Sequence, residues 1–573
     1  MFMKKLLSIF VFTLLATLLT AQVSKNINIP TAGTLTTLLT ETEKTTVTNL
    51  TITGIVDARD FKCLRDEMSV LAILDMNSAN IIAYSGSDGT NGYNYVADEI
   101  PQMAFYNSSL GNKTTLKSFI IPSSVTSIGM GAFEYCSGLT SITLPTNLSK
   151  IESWAFYNCS GLSSFNLPTG LKSISDYAFH SCYGLTSILL PKNLSSIGGA
   201  AFISCTNLAE YIVDLENPNY SSLNGVLFNK DKTKLISYPC GKTGGYITPS
   251  TVYTIGNSSF SSCIRLTSIS MSGSNSLTKI ESSAFANCVN VSSILLPSSL
   301  DTIAEFAFQE CYSLKTITIP SSVRNIESSS FYYCSSLTDY IVDNNNPNYS
   351  SLNGVLFNKI KTKLILYPAG KLGEYTIPIS VLNIGSRAFA SQNGLTSIIL
   401  PNNLTVIENM AFFNCVNLTS LTLPSSLTNI GDFAFMLCSK VKIINSLNPT
   451  PPMIGNNCFA NTNSVTDVFV PTINAITAYK NHTDWIRFFP DDIIKSNQTT
   501  EIFKPIENNL KIYSTDFEIL VEGTKNNEVV ELFTTTGKKL QSVKSNGELL
   551  KISVGRVGVY LIKTEKKTFK LIL

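Results

Sequence analysis

Apolar and polar positions along this chain recur at a fixed interval. From Leu116 it runs LKSFIIPSSVTSIGMGAFEYCSG, LTSITLPTNLSKIESWAFYNCSG, LSSFNLPTGLKSISDYAFHSCYG and LTSILLPKNLSSIGGAAFISCTN, four 23-residue units without an insertion. Further units start at Leu266, Val291, Leu314, Leu395 and Leu418. Such a period marks one supersecondary unit per repeat, stacked because no single unit can bury its own apolar face. In the unit from Leu139 the apolar residues are Leu139, Ile142, Leu144, Leu148, Ile151, Ala155, Phe156 and Cys159. The Leu-x-x-Ile-x-Leu opening predicts a short strand with alternate side chains pointing into the coil. Pro145 ends it, because proline donates nothing to a ladder. Ala155 and Phe156 recur as Ala132 and Phe133, Ala178 and Phe179, Ala284 and Phe285, and Ala411 and Phe412. The in-phase phenylalanines predict a core spine, each ring contributing about 1.5 to 3 kcal/mol by burial.

The unit LxxIxLPxxLxxIxxxAFxxC resembles the BspA-like class of bacterial leucine-rich repeats over residues 116–464. That resemblance implies a repeat solenoid, a leucine-rich repeat array with one short parallel strand per coil of about 23 residues. Two long units interrupt the period at 208–265 and 337–394. Their openings, LAEYIVDLENPNYSSLNGVLFNKDKTKLISYPCGK from Leu208 and LTDYIVDNNNPNYSSLNGVLFNKIKTKLILYPAGK from Leu337, agree at 28 of 35 positions and begin 129 residues apart. Within each, a strand, polar turn, strand pattern predicts an added hairpin. Residues 22–115 read as an N-terminal cap, similar to the region preceding the repeats in this class, and 465–495 as a closing cap with Trp485 plugging the last coil. The Gly-rich SGSDGTNGYN at Ser85–Asn94 has no Gly-Lys-Ser/Thr and reads as a surface turn.

Both termini carry signals of another kind. Residues 1–21 combine a basic start, an apolar run from Leu6 to Leu19 and small residues before Gln22, which predicts a cleaved export signal. No later stretch is apolar and long enough to span a membrane. After a polar linker at 496–505, the segment 506–573 changes to short alternating runs that predict a small C-terminal β-sandwich. It resembles the C-terminal sorting domain of type IX secretion substrates. The matching residues are a Thr-Gly-Lys turn at Thr536–Lys538 with Gly537, the Gly558 and Tyr560 pair, and a basic-hydrophobic end from Lys570. The resemblance implies engagement of the type IX machinery and a secreted, extracellular or outer-membrane surface location.

Charge narrows the possible partners. Charged residues make up 14% of the chain, and 42 Lys+Arg face 40 Asp+Glu, a balance that becomes 40 against 40 once Lys4 and Lys5 leave with the signal. Nucleic-acid binding requires clustered cations to neutralise phosphates, and no such cluster occurs. Ten of 13 cysteines, Cys136, Cys159, Cys182, Cys205, Cys263, Cys288, Cys311, Cys334, Cys415 and Cys438, share one repeat phase, and Gln392 takes that place in the second long unit. Side chains at one phase project in parallel, whereas a bridge needs facing Cβ atoms, so the expectation is an inward thiol column rather than disulfides. With no Cys-x-x-Cys, only His180 and His482, and no Gly-x-Ser-x-Gly elbow, the sequence offers no catalytic residue, no metal site and no cofactor site. His180 reads as a plain surface residue.

Attachment to host matrix proteins or other cells is what the BspA-like resemblance implies. A structural surface spacer and a carbohydrate-active enzyme or accessory protein are the alternatives. Thr140, Ser141, Thr143, Thr186, Ser187, Thr419, Ser420 and Thr422 predict a monotonous solvent-exposed strand face. The long units instead present lysine-bearing turns, Lys230, Lys232 and Lys234 in one and Lys359, Lys361 and Lys363 in the other. Insertions in repeat proteins map to loops on one face, often the binding face. These six lysines are the expected contacts for a protein or cell-surface ligand.

Overall fold

The computed structural model describes residues 22–109, 111–273, 275–497, 511–515, 518–522, 524–534, 538–547, 550–553, 559–564 and 568–572. The expected signal at 1–21, most of the linker, Gly537 and Gly558 lie outside the described residues. The chain forms two compact units. The first runs to Leu372 and includes Gly385–Gly394; the second comprises Gly373–Ile384 and everything from Leu395 onward.

In the first unit each coil is tied to the next along three lines. Strands Ser24–Ile29, Asn49–Val56, Ile73–Asp75, Ser118–Ile120 and Ser141–Thr143 pair in parallel in chain order. A second parallel ladder joins Glu99–Ile100, Ser127–Ile128, Lys150–Ile151, Ser173–Ile174 and Ser196–Ile197. On the third side the ring residue donates its amide to the alanine carbonyl one coil on: Phe133 to Ala155, Phe156 to Ala178, and Phe179 to Ala201, each at 2.8 Å. The residue before the alanine adopts a left-handed conformation, φ 57° at Trp154 and 58° at Tyr177, which a bulky side chain tolerates only where the surrounding coil enforces it.

The phenylalanines form the expected spine. Phe133, Phe156, Phe179 and Phe202 are buried and nearly parallel, with centroids 5.1, 5.2 and 5.3 Å apart. The array reaches further back than the repeat pattern indicated. Phe105, inside the expected cap, stacks on Phe133 at 5.3 Å and donates to the Ala132 carbonyl. That coil carries the Ala-Phe turn but lacks the Leu-x-x-Ile opening, which hid it from the pattern. Ser85–Asn94 closes as a short hairpin, with Tyr84–Ser85 antiparallel to Asn94–Tyr95.

Each long unit adds a three-stranded antiparallel meander, Tyr220–Leu223, Val226–Asn229 and Lys234–Ser237 in the first copy and Tyr349–Leu352, Val355–Asn358 and Lys363–Leu366 in the second. The last strand of the first meander rejoins the coil ladder, Lys234 and Leu235 pairing with Thr254 and Ile255. The insertion interrupts the core. Phe202 meets the edge of Tyr211 (5.5 Å, 76°) instead of another stacked ring, and Phe331 meets Tyr340 in the same way (5.4 Å, 76°). One buried cluster runs from Ile29 to Tyr211 and Leu227; a separate one starts at Val226 and runs to Leu366. The spine restarts at Tyr238, stacked on Phe260 at 4.8 Å, and at Tyr367, stacked on Phe389 at 4.8 Å.

The cysteines correct one expectation. Nine of the ten in-phase thiols are free and buried, as the column predicts, but Cys263 is bridged to Cys240, with Cα atoms 4.3 Å apart. A column cysteine follows its ring by three residues, whereas Cys240 follows Tyr238 by two. Out of phase by one, it need not project in parallel with its neighbours, and it bonds the column member 23 residues on. The free thiols have a shared role: Cys159, Cys182, Cys288, Cys334 and Cys438 each donate to the phenylalanine carbonyl one coil earlier, at 3.0 to 3.1 Å. Gln392, at the same place, donates its Nε2 to the Tyr367 carbonyl at 3.1 Å, so an amide replaces the thiol in the same bond.

In the second unit a parallel ladder of its own joins Ser420–Leu423, Ile443–Ser446, Asp467–Val470 and Ile494–Ser496. Phe412, Phe435 and Phe459 stack at 5.0 and 5.3 Å. Helices Ile473–Lys480 and Thr483–Phe488 close the ladder. Trp485 is fully buried, its Nε1 donating to the Pro452 carbonyl at 2.9 Å, and Phe489 meets Phe459 edge-on at 5.0 Å. The tail forms two antiparallel sheets, Lys511–Thr515 with Glu518–Glu522 and Leu550–Ser553, and Lys539–Lys544 with Val529–Thr534, Val559–Lys563 and Thr568–Ile572. Ile519, Val521, Val530, Leu532, Leu550, Ile552 and Ile562 form their buried cluster. Tyr560 and Lys570 lie on the two paired strands at its end.

Candidate recognition surfaces

The six lysines are not equivalent. Lys230 extends its ammonium to the Leu215 and Asn217 carbonyls (3.4 and 2.5 Å), and Lys359 to the Asn344 and Asn346 carbonyls (2.9 and 2.7 Å). These two fasten the meander to the Asn-rich turn before it. That turn is itself anchored: buried Asn217 donates to the Pro191 and Leu194 carbonyls, and Asn346 to those of Pro320 and Val323. Lys234 pairs with Glu281 at 2.7 Å. Lys232 and Lys361 occupy the left-handed turn position at each tip, φ 56° and 58°, and Lys363 opens the returning strand. A basic count along the sequence could not separate the fastening lysines from those at the tip.

The strand-face residues Thr140, Ser141, Thr143, Thr186, Thr419, Ser420 and Thr422 are exposed and Ser187 is half-buried. Several hydroxyls serve the stack, Thr140 donating to the Lys117 carbonyl one coil back at 3.1 Å.

Two features of the first unit escaped the sequence reading. One is a strip of surface rings: Trp154 and Tyr177 are exposed and near-parallel (6.1 Å, 14°), and beside them Tyr106, Tyr135, Tyr157 and His180 follow one another at 5.9, 5.3 and 4.8 Å. His180 is therefore no plain surface residue. It is half-buried, lies on Tyr157, and has its Nδ1 2.8 Å from the Ser181 hydroxyl; burial holds its imidazole below the usual range. The signal was available, since aromatic residues stand just before or after the Ala-Phe pair in consecutive coils, but it was hidden beside the stronger buried column.

The other is a cleft of about 200 Å3 where the first long unit breaks the coil-to-coil bonding, lined by Gly199, Ala200, Phe202, Ile203, Tyr238 and Ser259 among others. In regular coils the amides equivalent to Ala200 and Phe202 donate to the next coil, as Trp154 does to Asp176 and Phe156 to Ala178; here, among the described residues, neither finds an acceptor. The Ser259 hydroxyl is also buried without a partner. At the same place in the second copy the Ser329 and Phe331 amides likewise find no acceptor among the described residues, but Tyr332 in place of Ile203 reaches Ser391 at 3.0 Å.

Among the described residues no group of His, Cys, Asp and Glu is arranged to hold a metal ion, and no helix is long and apolar enough to cross a membrane. Burial pushes the Cys205, Cys288 and Cys334 thiols up to about 12, which keeps them protonated and poor nucleophiles.

Coils stacked through parallel strands around an in-phase Leu, Ile and Phe core define a leucine-rich repeat solenoid, although a coil such as that from Leu139 carries two short strands, Ser141–Thr143 and Lys150–Ile151, rather than the single one expected. The chain belongs to the BspA-type leucine-rich repeat family: the description "BspA type Leucine rich repeat region", in six copies, matches residues 98–231, 238–363 and 358–482. Among solved structures it is similar to a leucine-rich repeat protein from Bacteroides ovatus (25% identity, 74% of this chain and 92% of the other, TM-score 0.32). It is also similar to one from Eubacterium ventriosum (22%, 72% and 88%, TM-score 0.40) and to a leucine rich cell surface protein from Faecalibacterium prausnitzii (24%, 54% and 84%, TM-score 0.35). No curated protein matches the chain.

Proposed function

We propose that this chain is an exported bacterial surface protein that binds a protein or cell-surface ligand, the two meanders offering one contact twice. The observation that carries this reading is the duplication itself. Both copies hold the same three strands, the same lysine-to-carbonyl fastening and the same left-handed tip lysine, 129 residues apart in one unit. Two weak contacts on one scaffold gain strength through effective concentration. The tail from Ile506 to Leu573, with Gly537, Gly558, Tyr560 and Lys570, serves as its type IX export signal. The test keeps the meanders, because Phe228, Leu235, Phe357 and Leu364 are core residues. Lys232→Gly with Lys361→Gly suits the left-handed tip and removes both cations. Adhesion to host cells and matrix proteins should fall more for the double variant than for either single one. Unchanged adhesion would make the meanders architecture.

A further inference from the structure

The geometry points to a binding site for a neutral oligosaccharide where the Trp154–Tyr177 ring row runs into the cleft beside Gly199–Ala200. It goes beyond the protein-binding reading and does not depend on the meanders. The residue before the alanine in successive coils is Trp154, Tyr177 and then Ala200. The ring row therefore stops at Tyr177, and its neighbour coil offers two glycines and two alanines at Gly198–Ala201 in place of bulk. Exposed Trp and Tyr rings have an electron-rich face that attracts the slightly positive C–H groups lining one side of a pyranose.

The cleft supplies the polar half of such a site. The Ala200 and Phe202 amides face the broken ladder as donors without acceptors; Phe202 is buried, and an amide left unpaired in a buried residue is costly, so a ligand oxygen there would recover a bond the fold forgoes. The Ser259 hydroxyl, 3% exposed, lacks a partner in the same wall. The acceptor is Asp176, whose Oδ1 lies next to Gly198 and Gly199, where a Cβ would stand 2.5 and 3.6 Å from it. Donors with one carboxyl suit a ligand whose hydroxyls both give and accept hydrogen bonds, and disfavour an anionic sugar. The second copy shares the unpaired amides, at Ser329 and Phe331, but differs in the side chains around them. Tyr332 bridges to Ser391 there, and Ser328 and Ser329 replace Gly199 and Ala200.

The test titrates the full chain with maltotriose, cellotriose and trigalacturonate, followed by saturation-transfer NMR up to about 10 mM, a range that detects weak sites. At least one neutral trisaccharide should bind saturably and trigalacturonate should not. Trp154→Ala and Tyr177→Ala should each weaken binding about tenfold, as should Gly199→Leu, which fills the cleft at a position with Cβ room. Phe306→Ala, at the same coil position outside the strip, should leave it unchanged. The alanine variants should fold, because Ala200 already occupies this position, and circular dichroism checks that they do. The proposal is overturned if neither neutral sugar binds, if trigalacturonate binds as well, or if the folded Trp154 and Tyr177 variants bind like the parent.

Discussion

Truncating one ring of the spine tests the packing argument directly. Phe156 is 0% exposed and touches Phe133 (5.1 Å, 2°) and Phe179 (5.2 Å, 8°) face on, with Phe165 edge-on at 5.0 Å. In Phe156→Ala the lost transfer free energy is about 2 to 3 kcal/mol. The hole left, roughly 100 Å3, adds about 2 kcal/mol if it stays open. It should stay open, since the rings on either side are held by amide bonds to their own neighbouring coils, Phe133 to Ala155 and Phe179 to Ala201. The expected loss is therefore about 4 kcal/mol, inside the range of core Phe truncations. A stacked array need not unfold as one step, so the readout is hydrogen exchange of the coils flanking Phe156 together with urea unfolding. A loss under about 1 kcal/mol, or protection lost evenly along the whole chain, would refute the reasoning.

Thiol titration of the unfolded, unreduced protein should count 11 free thiols and the folded protein should react slowly; nine or fewer would mean further bridges. Burial pushes the Lys113 ammonium, which donates to the Met68 carbonyl, down to about 8. The unfolded chain then binds more protons than the folded one between pH 8 and about 10.5, so stability relative to Lys113→Met should rise across that window by at most about 3 kcal/mol. A flat difference would place the amine in water. Deleting Ile506–Leu573 should leave a folded array retained in the periplasm; normal surface display of the shortened chain would remove the sorting role from the tail.

The coil, its strand and its ring column were legible because each rests on strict period: one residue out of phase would carry Phe156 or Ile151 out of the core. Position relative to that period also explains the misses. Cys240 fell outside the column and so outside the thiol argument, yet its one-residue offset is what allows the bridge to Cys263. The Phe105 coil was invisible because only half of its motif is present. The surface was harder to read. Lys230 and Lys232 look alike in sequence, but one meets backbone carbonyls and the other sits at a left-handed tip. Trp154 and Tyr157 stand on one coil and Tyr177 and His180 on the next, and the two pairs become neighbours only when the 23-residue period brings them into line. The cleft required knowledge of which amides lose their partners, and no local pattern encodes that.

The interrupted core has a mechanical consequence. Between Tyr211 and Tyr238 the ring stack changes partners and the buried cluster ends, so cooperativity between adjacent coils weakens there. An unzipping front that enters from one end meets a firebreak before it crosses the first meander. Pulled by its ends, as a tether in flowing liquid would be, the first unit should give up length in instalments rather than all at once. The coils before Tyr211 could stay wound while those after it run free, and rewind on a folded template when the load drops.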